Sequence, residues 1–149
     1  MSSNISDIDI MEGYMFEEYL KTLLFYEGYE VNLTQKSRDY GADLVIIKDG
    51  IKTAVQAKRY NKSVGVKCVQ EVLGAKKHYD CGEAMVITNS HFTDACEQLA
   101  KENDVRLVDR EELIEMYNRV KKSLSLSTKE SELVDNKNGD IEEKFPYLI

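Results

Sequence analysis

Three residues of the sequence, Asp43, Gln56 and Lys58, offer the groups that hydrolysis of a phosphodiester requires. The reaction needs a metal ion that binds the phosphate and activates water, and a cation that stabilises the developing charge. Hard divalent metals prefer oxygen ligands. Asp43 supplies a carboxylate, Gln56 a side-chain carbonyl, and Ala57 a backbone carbonyl. Lys58 supplies the cation, so the set is chemically sufficient for a Mg²⁺ site in which Mn²⁺ can substitute.

A β-hairpin is expected to bring these side chains together. Two β-rich runs, Ala42–Lys48 and Ile51–Tyr60, are separated by an Asp-Gly pair, which is a strong hairpin signal. With this pair as the two turn residues, Asp43 lies directly opposite Gln56, with Cβ atoms about 5 Å apart. Lys58 points to the same face as Gln56, because side chains alternate along a strand. The spacing alone is a weak signal, since charged residues on half-exposed hairpins are common.

The first predicted helix offers a second carboxylate. Residues 14–27 place apolar side chains on one stripe at helical spacing, and Gly28 is suited to end the helix. At about 100° per residue, Glu17 falls at the margin of this stripe, whereas Glu18 points well away from it. Glu17 therefore borders the site if the helix packs across the hairpin, and an ordinary helix edge is the alternative. The stripe consists of Phe16, Tyr19, Leu20, Leu23 and Leu24.

The remaining elements alternate between strand and helix, with no internal repeat. The resulting order αβββαβαβα predicts an α/β fold, with a mixed sheet that is flanked by helices on both faces. We predict a first strand Tyr29–Thr34, a helix Val66–Tyr79, a strand Ala84–Thr88, a helix Thr93–Glu102, a strand Val105–Val108 and a helix Glu111–Lys121.

Two short segments also carry a family resemblance. Gly41-Ala42-Asp43-Leu44 and Val55-Gln56-Ala57-Lys58-Arg59-Tyr60 look like the Mrr-like restriction endonuclease domain of the PD-(D/E)xK nuclease superfamily. The resemblance extends roughly from Glu12 to Val120 and implies a restriction-endonuclease-like fold. Further stretches in the order typical of this branch are Phe16-Glu17, Gly28-Tyr29, Val86-Ile87-Thr88-Asn89, Phe92-Thr93 and Leu107-Val108-Asp109-Arg110.

The resemblance implies roles for four side chains. It places the metal-binding aspartate at Asp43, the second metal-site position at Gln56, the catalytic lysine at Lys58 and the acid of the first helix at Glu17. The commonest form of the motif has Glu or Asp where this chain has Gln56, although Gln is a variant in the Mrr-like branch. The substitution removes one negative charge, and whether Glu17 preserves metal affinity is left open.

Residues near the motif are candidates for contacts with DNA. Residues 48–77 carry eight lysines and arginines against two acids, a local charge of +6 in a chain of net charge −7. Contacts with phosphates give affinity without sequence information, but a solvated side chain is the usual explanation for any single lysine. For Gln70 a plain surface position is equally expected, and for Tyr60 packing in the hairpin is favoured over base stacking. The candidates are Arg59, Lys62, Lys67, Gln70 and Tyr60.

Length and composition bound the class of protein. A chain of 149 residues with 42% hydrophobic and 32% charged residues fits one globular domain. We predict a nuclease domain over residues 1–122 and an acidic, flexible tail over residues 123–149. The sequence has no apolar run of about 18 residues and no targeting signal, which predicts a cytoplasmic protein with no membrane partner. Three cysteines without a CxxC pair indicate neither a disulfide framework nor a zinc cluster.

Several functions fit these observations. The leading hypothesis is a Mg²⁺-dependent DNA endonuclease of restriction or mobile-element defence, without an organic cofactor. We expect a homodimer, because one small site nicks one strand whereas a two-fold pair cuts both. A Holliday-junction resolvase or repair nuclease would share the same chemistry. A DNA-binding module whose site has decayed at Gln56, and an autoinhibitory role for the acidic tail, are alternatives of another kind. We find no separate DNA-recognition domain of the kind that Mrr-like enzymes often carry, so target selection is unexplained.

Overall fold

A mixed five-stranded sheet lies at the centre of the fold. The computed structural model describes residues 5–10, 13–34 and 41–130. The strands lie in the order β1-β2-β3-β4-β5; β1, β2 and β3 are antiparallel, and β4 and β5 run parallel to β3. The strands are β1 (Glu30–Leu33), β2 (Leu44–Lys48), β3 (Ile51–Lys58), β4 (Glu83–Thr88) and β5 (Val105–Val108). The helices are α1 (Ile5–Ile10), α2 (Gly13–Tyr26), α3 (Lys67–His78), α4 (Asp94–Glu102) and α5 (Arg110–Glu130).

The predicted hairpin is confirmed in its turn and its register. Asp49 and Gly50 both have positive φ angles, 53° and 77°, which is the conformation of a type I′ turn. Lys48 pairs with Ile51, and the ladder continues to the pair of Leu44 and Val55. The Asp-Gly pair therefore determines which residues of β2 and β3 face each other.

Helices cover both faces of the sheet, as predicted. On one face, the apolar stripe of α2 packs with α5 against alternate residues of β2, among them Leu44 and Ile46. On the other face, α3 and α4 pack against Ala54 of β3 and Val86 of β4. All five residues of the α2 stripe are at most 2% exposed. The sheet is thus the middle of three layers, and α2 and α3 approach β3 from opposite sides.

Two helices differ from the sequence-based prediction. Helix α1 was not predicted, because six residues are too few for a helical period to be recognised. Its Ile8 is buried in the same core as α2. Helix α5 continues to Glu130, beyond the predicted end at Lys121, and Leu124 packs against that core. The first eight residues of the segment predicted as a tail are therefore helical, and residues 131–149 lie outside the described part of the chain.

The three cysteines are free thiols. The Sγ atoms of Cys68 and Cys96 lie 3.5 Å apart in the core between α3 and α4, and burial raises the pKa of Cys68 to about 12. Cys81 is half-buried near the end of α3.

None of the helices described here combines the length and the apolar character that a membrane span would need.

Candidate functional site

A cavity of about 250 Å³ lies beside the end of the hairpin. Its wall is formed by the start of α2, by the segment that leads into β2, by the end of β3 and by one residue of α3. The four residues predicted to be catalytic all line this cavity. The charged and amide side chains on its wall are those of Glu17, Asp43, Gln56, Lys58, Arg59 and Glu71.

Asp43 is fixed to the hairpin by two hydrogen bonds. Its backbone N–H donates to the carbonyl of Val55 at 2.8 Å. Its Oδ2 atom accepts from the backbone N–H of Ala57 at 2.7 Å. The strand ladder ends one pair before the predicted pair of Asp43 and Gln56, and the carboxylate instead reaches across to the residue next to Gln56. The side chains of Asp43 and Gln56 both line the cavity.

Gln56 is a buried polar side chain with one unsatisfied end. The residue is 4% exposed, and its Nε2 atom donates to Oε2 of Glu71 at 2.6 Å. Its Oε1 atom is buried and accepts no hydrogen bond from the described residues. A buried acceptor without a donor costs about 1–3 kcal/mol. An oxygen in this state is suited to bind a cation.

Lys58 lies on the same side of β3 as Gln56, as the strand alternation predicts. Its Nζ atom lies 3.6 Å from Oε2 of Glu71, and its side chain is 23% exposed. The ammonium group also lies 5.8 Å from the centre of the Tyr60 ring. Lys58 is thus a half-buried cation at the cavity wall. Its contacts with Glu71 and Tyr60, which also line the cavity, keep its ammonium group there.

Glu17 reaches the cavity from the other layer of the fold. It is half-buried on α2, whereas its neighbour Glu18 is exposed, which agrees with the predicted orientations. Helix α2 covers the sheet face opposite to the one that Gln56 shares with α3. Glu17 therefore lines the cavity from beyond the end of the hairpin.

Glu71 is the site residue that the sequence analysis missed. It lies on α3 and contacts both Gln56 and Lys58 through the same oxygen, Oε2. Its neighbour Gln70, a candidate for a DNA contact, is exposed and does not line the cavity, because one residue along a helix turns the side chain by about 100°. A signal was available: Glu71 is the sole acid between residues 50 and 79.

The approach of α3 to the hairpin depends on Gly41. This residue has a φ of +74°, and a Cβ atom built on it would lie 2.3 Å from the backbone carbonyl oxygen of Glu71. Only glycine combines this conformation with so close a contact. Gly41 thus allows the backbone of α3 to lie beside the segment that carries Asp43.

The residues proposed for DNA contacts are in different situations. Tyr60 is 44% exposed at the cavity wall. The side chain of Lys67 is 87% exposed and its Nζ atom lies 3.9 Å from Glu71, and Lys62 is also exposed. Arg59 is half-buried at the cavity wall, and its Nη1 atom donates to the backbone carbonyl of Asp9 at 3.1 Å.

Two basic residues of the stretch 48–77, Lys48 and Lys52, lie at the end of the hairpin away from the cavity. Lys48 donates to the backbone carbonyl of Glu27 and Lys52 to that of Tyr79, both through Nζ. Lys52 and Lys58 are six residues apart on β3, which separates them by about 20 Å. Lys48 and Lys52 thus lie apart from the basic residues near the cavity, because an extended strand distributes neighbouring lysines over its length.

A polar network around Asp9 supports the ends of β3 and β4. The carboxylate of Asp9 accepts from Nη1 of Arg110 at 2.9 Å and from Nδ2 of Asn89 at 2.9 Å. The Oδ1 atom of Asn89 accepts from the backbone N–H of Tyr60 at 2.8 Å. Burial opposes ionisation of Asp9, but the hydrogen bonds and charge of Arg110 outweigh it, so the pKa of Asp9 lies below its usual value. Both ends of the Asn89 side-chain amide are used in this network.

A second group of ligand-type side chains lies away from the cavity. One atom each of His91, Asp109 and Glu111 lies within 4.8 Å of the others. Asp109 already accepts from the backbone N–H of Glu112 at the start of α5, and His91 lies 3.4 Å from Glu111. Helix capping by Asp109 and the contact between His91 and Glu111 account for this group.

Similarities between this chain and known proteins lie at the level of sequence family and fold. The sequence matches the family Mrr_cat, described as restriction endonuclease, over residues 8–117. The structure is similar to the DNA modification-dependent restriction endonuclease AspBHI, with a TM-score of 0.63, 22% identity, and coverage of 75% of this chain and 33% of that one. It is also similar to the protein of unknown function AF1548, with a TM-score of 0.57, 17% identity, and coverage of 64% and 57%.

These two likenesses show the fold. The chain spans about a third of AspBHI and somewhat more than half of AF1548. No curated protein sequence matches the chain at a significant level.

Replacing Gly41 by alanine should destabilise the protein by about 2–3 kcal/mol, because the added Cβ meets both a positive φ and the carbonyl of Glu71. Chemical unfolding followed by circular dichroism measures this change. Two matched variants separate the causes. Gly50→Ala adds a Cβ at positive φ in open space and should cost about 1 kcal/mol, whereas Gly74→Ala in α3 should stabilise by up to about 1 kcal/mol. Equal effects at positions 41 and 50 would contradict the close approach of α3.

Asp9→Asn should lower the free energy of unfolding at pH 7 by about 1 kcal/mol, because a half-exposed ion pair with Arg110 loses its charge. Asp9 has a lowered pKa when folded, so its contribution is present above the unfolded value near 3.8 and disappears as the pH falls through the folded value. Unfolding measured from pH 7 to pH 3 should show the two proteins converging in acid. The control Glu18→Gln replaces an exposed acid. Its free energy of unfolding should differ little from that of the unsubstituted protein throughout this pH range.

Proposed function

Because the chain belongs to the restriction endonuclease family Mrr_cat, which it matches over residues 8–117, we propose that it hydrolyses phosphodiester bonds of DNA as a metal-dependent endonuclease. The observation that carries this proposal is the buried Oε1 atom of Gln56, which has no hydrogen-bond partner in the described part of the chain and lies at a cavity that Asp43 and Lys58 also line. A side chain that had lost its role would be expected to satisfy or expose this oxygen.

The donor atoms at the cavity fit a hard divalent cation. Asp43 offers carboxylate oxygen, Gln56 offers its amide oxygen, and Glu17 lines the same cavity. The residues that line it include neither histidine nor cysteine, so the set favours Mg²⁺ or Mn²⁺ over softer metals. We propose Asp43, Gln56, the backbone carbonyl of Ala57, and Glu17 as the residues that would hold the ion.

The mechanism follows from the positions of these groups. When bound, the metal supplies a Lewis acid for the scissile phosphate and lowers the pKa of a coordinated water. The hydrogen bond from Ala57 N–H holds the carboxylate of Asp43 in one orientation. Lys58 lies at the wall as a half-buried cation, where it stabilises the charge that develops on the phosphate and helps to place the attacking water.

The surroundings of the cavity provide the surface for DNA. Tyr60 and Arg59 line the cavity wall, whereas Lys62, Lys67 and Gln70 are exposed on the loop and the first turns of α3 that follow. We propose that Tyr60 packs against a sugar or base of the DNA. We also propose that Gln70 and the basic side chains Arg59, Lys62 and Lys67 contact the sugar-phosphate backbone of the DNA. Arg59 is partly engaged by α1, and its buried Nε atom has no partner among the described residues.

The biological setting that we propose is restriction or defence against mobile elements. Two copies acting as a homodimer would cut both strands, since one site of this size hydrolyses one strand. A junction resolvase or repair nuclease would use the same site, and the choice of substrate in the cleavage assay distinguishes these functions.

Plasmid cleavage with Mg²⁺ or Mn²⁺ tests the proposal directly. Asp43→Ala and Lys58→Ala should each reduce the cleavage rate by at least about 100-fold, because they remove a metal ligand and the stabilising cation. Lys77→Ala, at an exposed position of α3 outside the cavity, is the matched control. Methylated, unmethylated and branched substrates should be compared. Cleavage that persists in chelator, or that both variants retain, would refute the assigned site.

DNA binding should depend on the exposed lysines near the cavity. Lys62→Ala and Lys67→Ala should each weaken DNA binding. Each should also reduce the magnitude of the slope of the logarithm of the association constant against the logarithm of the salt concentration by about 1, because each removes one phosphate contact. Fluorescence anisotropy with Ca²⁺ in place of Mg²⁺ measures binding without cleavage. Lys101→Ala on α4 is an exposed control. An unchanged slope in the first two variants would show that DNA approaches another surface.

A further inference from the structure

We propose that Glu71 is a positioning residue that makes Gln56 a metal ligand. This inference rests on the function proposed above and concerns the same site. Glu71 lies on α3, on the layer opposite to α2, and its Oε2 atom contacts both Gln56 and Lys58. It explains how a glutamine can serve at a position where the commonest form of the motif has a carboxylate.

The first step concerns the orientation of the Gln56 amide. The two ends of an amide have nearly the same shape, but the nitrogen donates hydrogen bonds and the oxygen accepts them. Nε2 of Gln56 lies 2.6 Å from Oε2 of Glu71, which is a short, charge-assisted hydrogen bond. Rotation of the amide by 180° would place two acceptors at this distance. Glu71 therefore selects one of the two orientations.

The second step concerns Oε1, the amide oxygen of Gln56, which in this orientation does not contact Glu71. With Nε2 committed to Glu71, Oε1 of Gln56 is buried and accepts no hydrogen bond from the described residues. Gln56 and Asp43 line the same cavity. The selected orientation thus keeps an amide oxygen available for a cation.

The third step concerns the strength of that oxygen as a ligand. A carboxylate that accepts a hydrogen bond from an amide nitrogen draws positive charge to the nitrogen and increases the negative charge on the carbonyl oxygen. Groups behind a metal ligand commonly orient it and raise its basicity in this way, and their loss typically reduces metal affinity by 10- to 100-fold. Glu71 is in such a position behind Gln56.

The surrounding structure holds Glu71 in place. The close approach at Gly41 positions the backbone of Glu71 beside the hairpin. The Nζ atoms of Lys58 and Lys67 lie 3.6 Å and 3.9 Å from oxygens of its carboxylate, which is thus held between two cations. The side chain of Glu71 is 30% exposed, so it is only partly buried at its position on α3.

A double-mutant cycle on Mn²⁺ binding tests this role with the whole 149-residue chain and without DNA. The variants are Glu71→Gln, Gln56→Ala and the combination, each titrated with Mn²⁺ by calorimetry. We expect each single variant to bind Mn²⁺ 10- to 100-fold more weakly, and the combination to be no weaker than Gln56→Ala within about threefold. Glu97→Gln, an exposed acid of α4, should bind as the original protein does.

Two results would overturn the inference. Unchanged affinity in Glu71→Gln would show that Gln56 needs no partner. Additive losses in the combination would show that Glu71 acts on the metal independently of Gln56, either as a ligand or through its charge. Thermal unfolding in chelator, compared for all variants, identifies any loss that arises from a damaged fold, and the proton resonances of the Gln56 amide report its hydrogen bond directly.

Asp43→Ala separates this inference from the proposed function. If the original protein binds Mn²⁺, Asp43→Ala abolishes that binding and Glu71→Gln does not weaken it, the inference fails and the metal site stands. If the original protein binds no Mn²⁺ and cleaves no DNA, both fail together.

Discussion

In the β2–β3 hairpin, the two turn residues Asp49 and Gly50 have positive φ angles, and this turn fixes the register of the two strands. A slip by one residue would move every side chain to the other face of the sheet. Gln56 and Lys58 would then face α2, and their contacts with Glu71 on α3 would be lost. The composition of the candidate site is thus a consequence of a turn at the far end of the hairpin.

The end of β3 that carries the site is supported by the parallel half of the sheet. Thr88, the last residue of β4, donates from Oγ1 to the carbonyl of Lys58 at 2.6 Å. The next residue, Asn89, accepts from the backbone N–H of Tyr60 and also binds Asp9. These bonds satisfy backbone groups where β3 leaves the sheet. The carboxyl ends of parallel strands commonly form ligand sites in α/β proteins, and the candidate site lies at the corresponding end of β3.

Stability and function place different demands on Gln56. An apolar residue at this buried position would avoid the cost of an unpaired carbonyl oxygen, which is about 1–3 kcal/mol. The structure instead combines the amide with a carboxylate, a lysine and a cavity. Natural proteins depart from complete satisfaction of buried polar groups chiefly at functional sites. The unsatisfied amide oxygen of Gln56 therefore agrees with the membership of the chain in a restriction endonuclease family and with the proposed role of Gln56 in metal binding.

The sequence by itself determined the order of strands and helices, the hairpin register and the buried stripe of α2, because these follow from local turn chemistry and from periods of two and 3.6 residues. It also placed Gln56 and Lys58 on one face of β3. It did not identify Glu71, the short helix α1, or the separation of Lys52 from Lys58 into distinct surroundings. These features depend on how α3 packs against the hairpin, on the polar network around Asp9 and on the extension of β3. Such contacts join residues that are distant in the chain, so only the tertiary structure decides them.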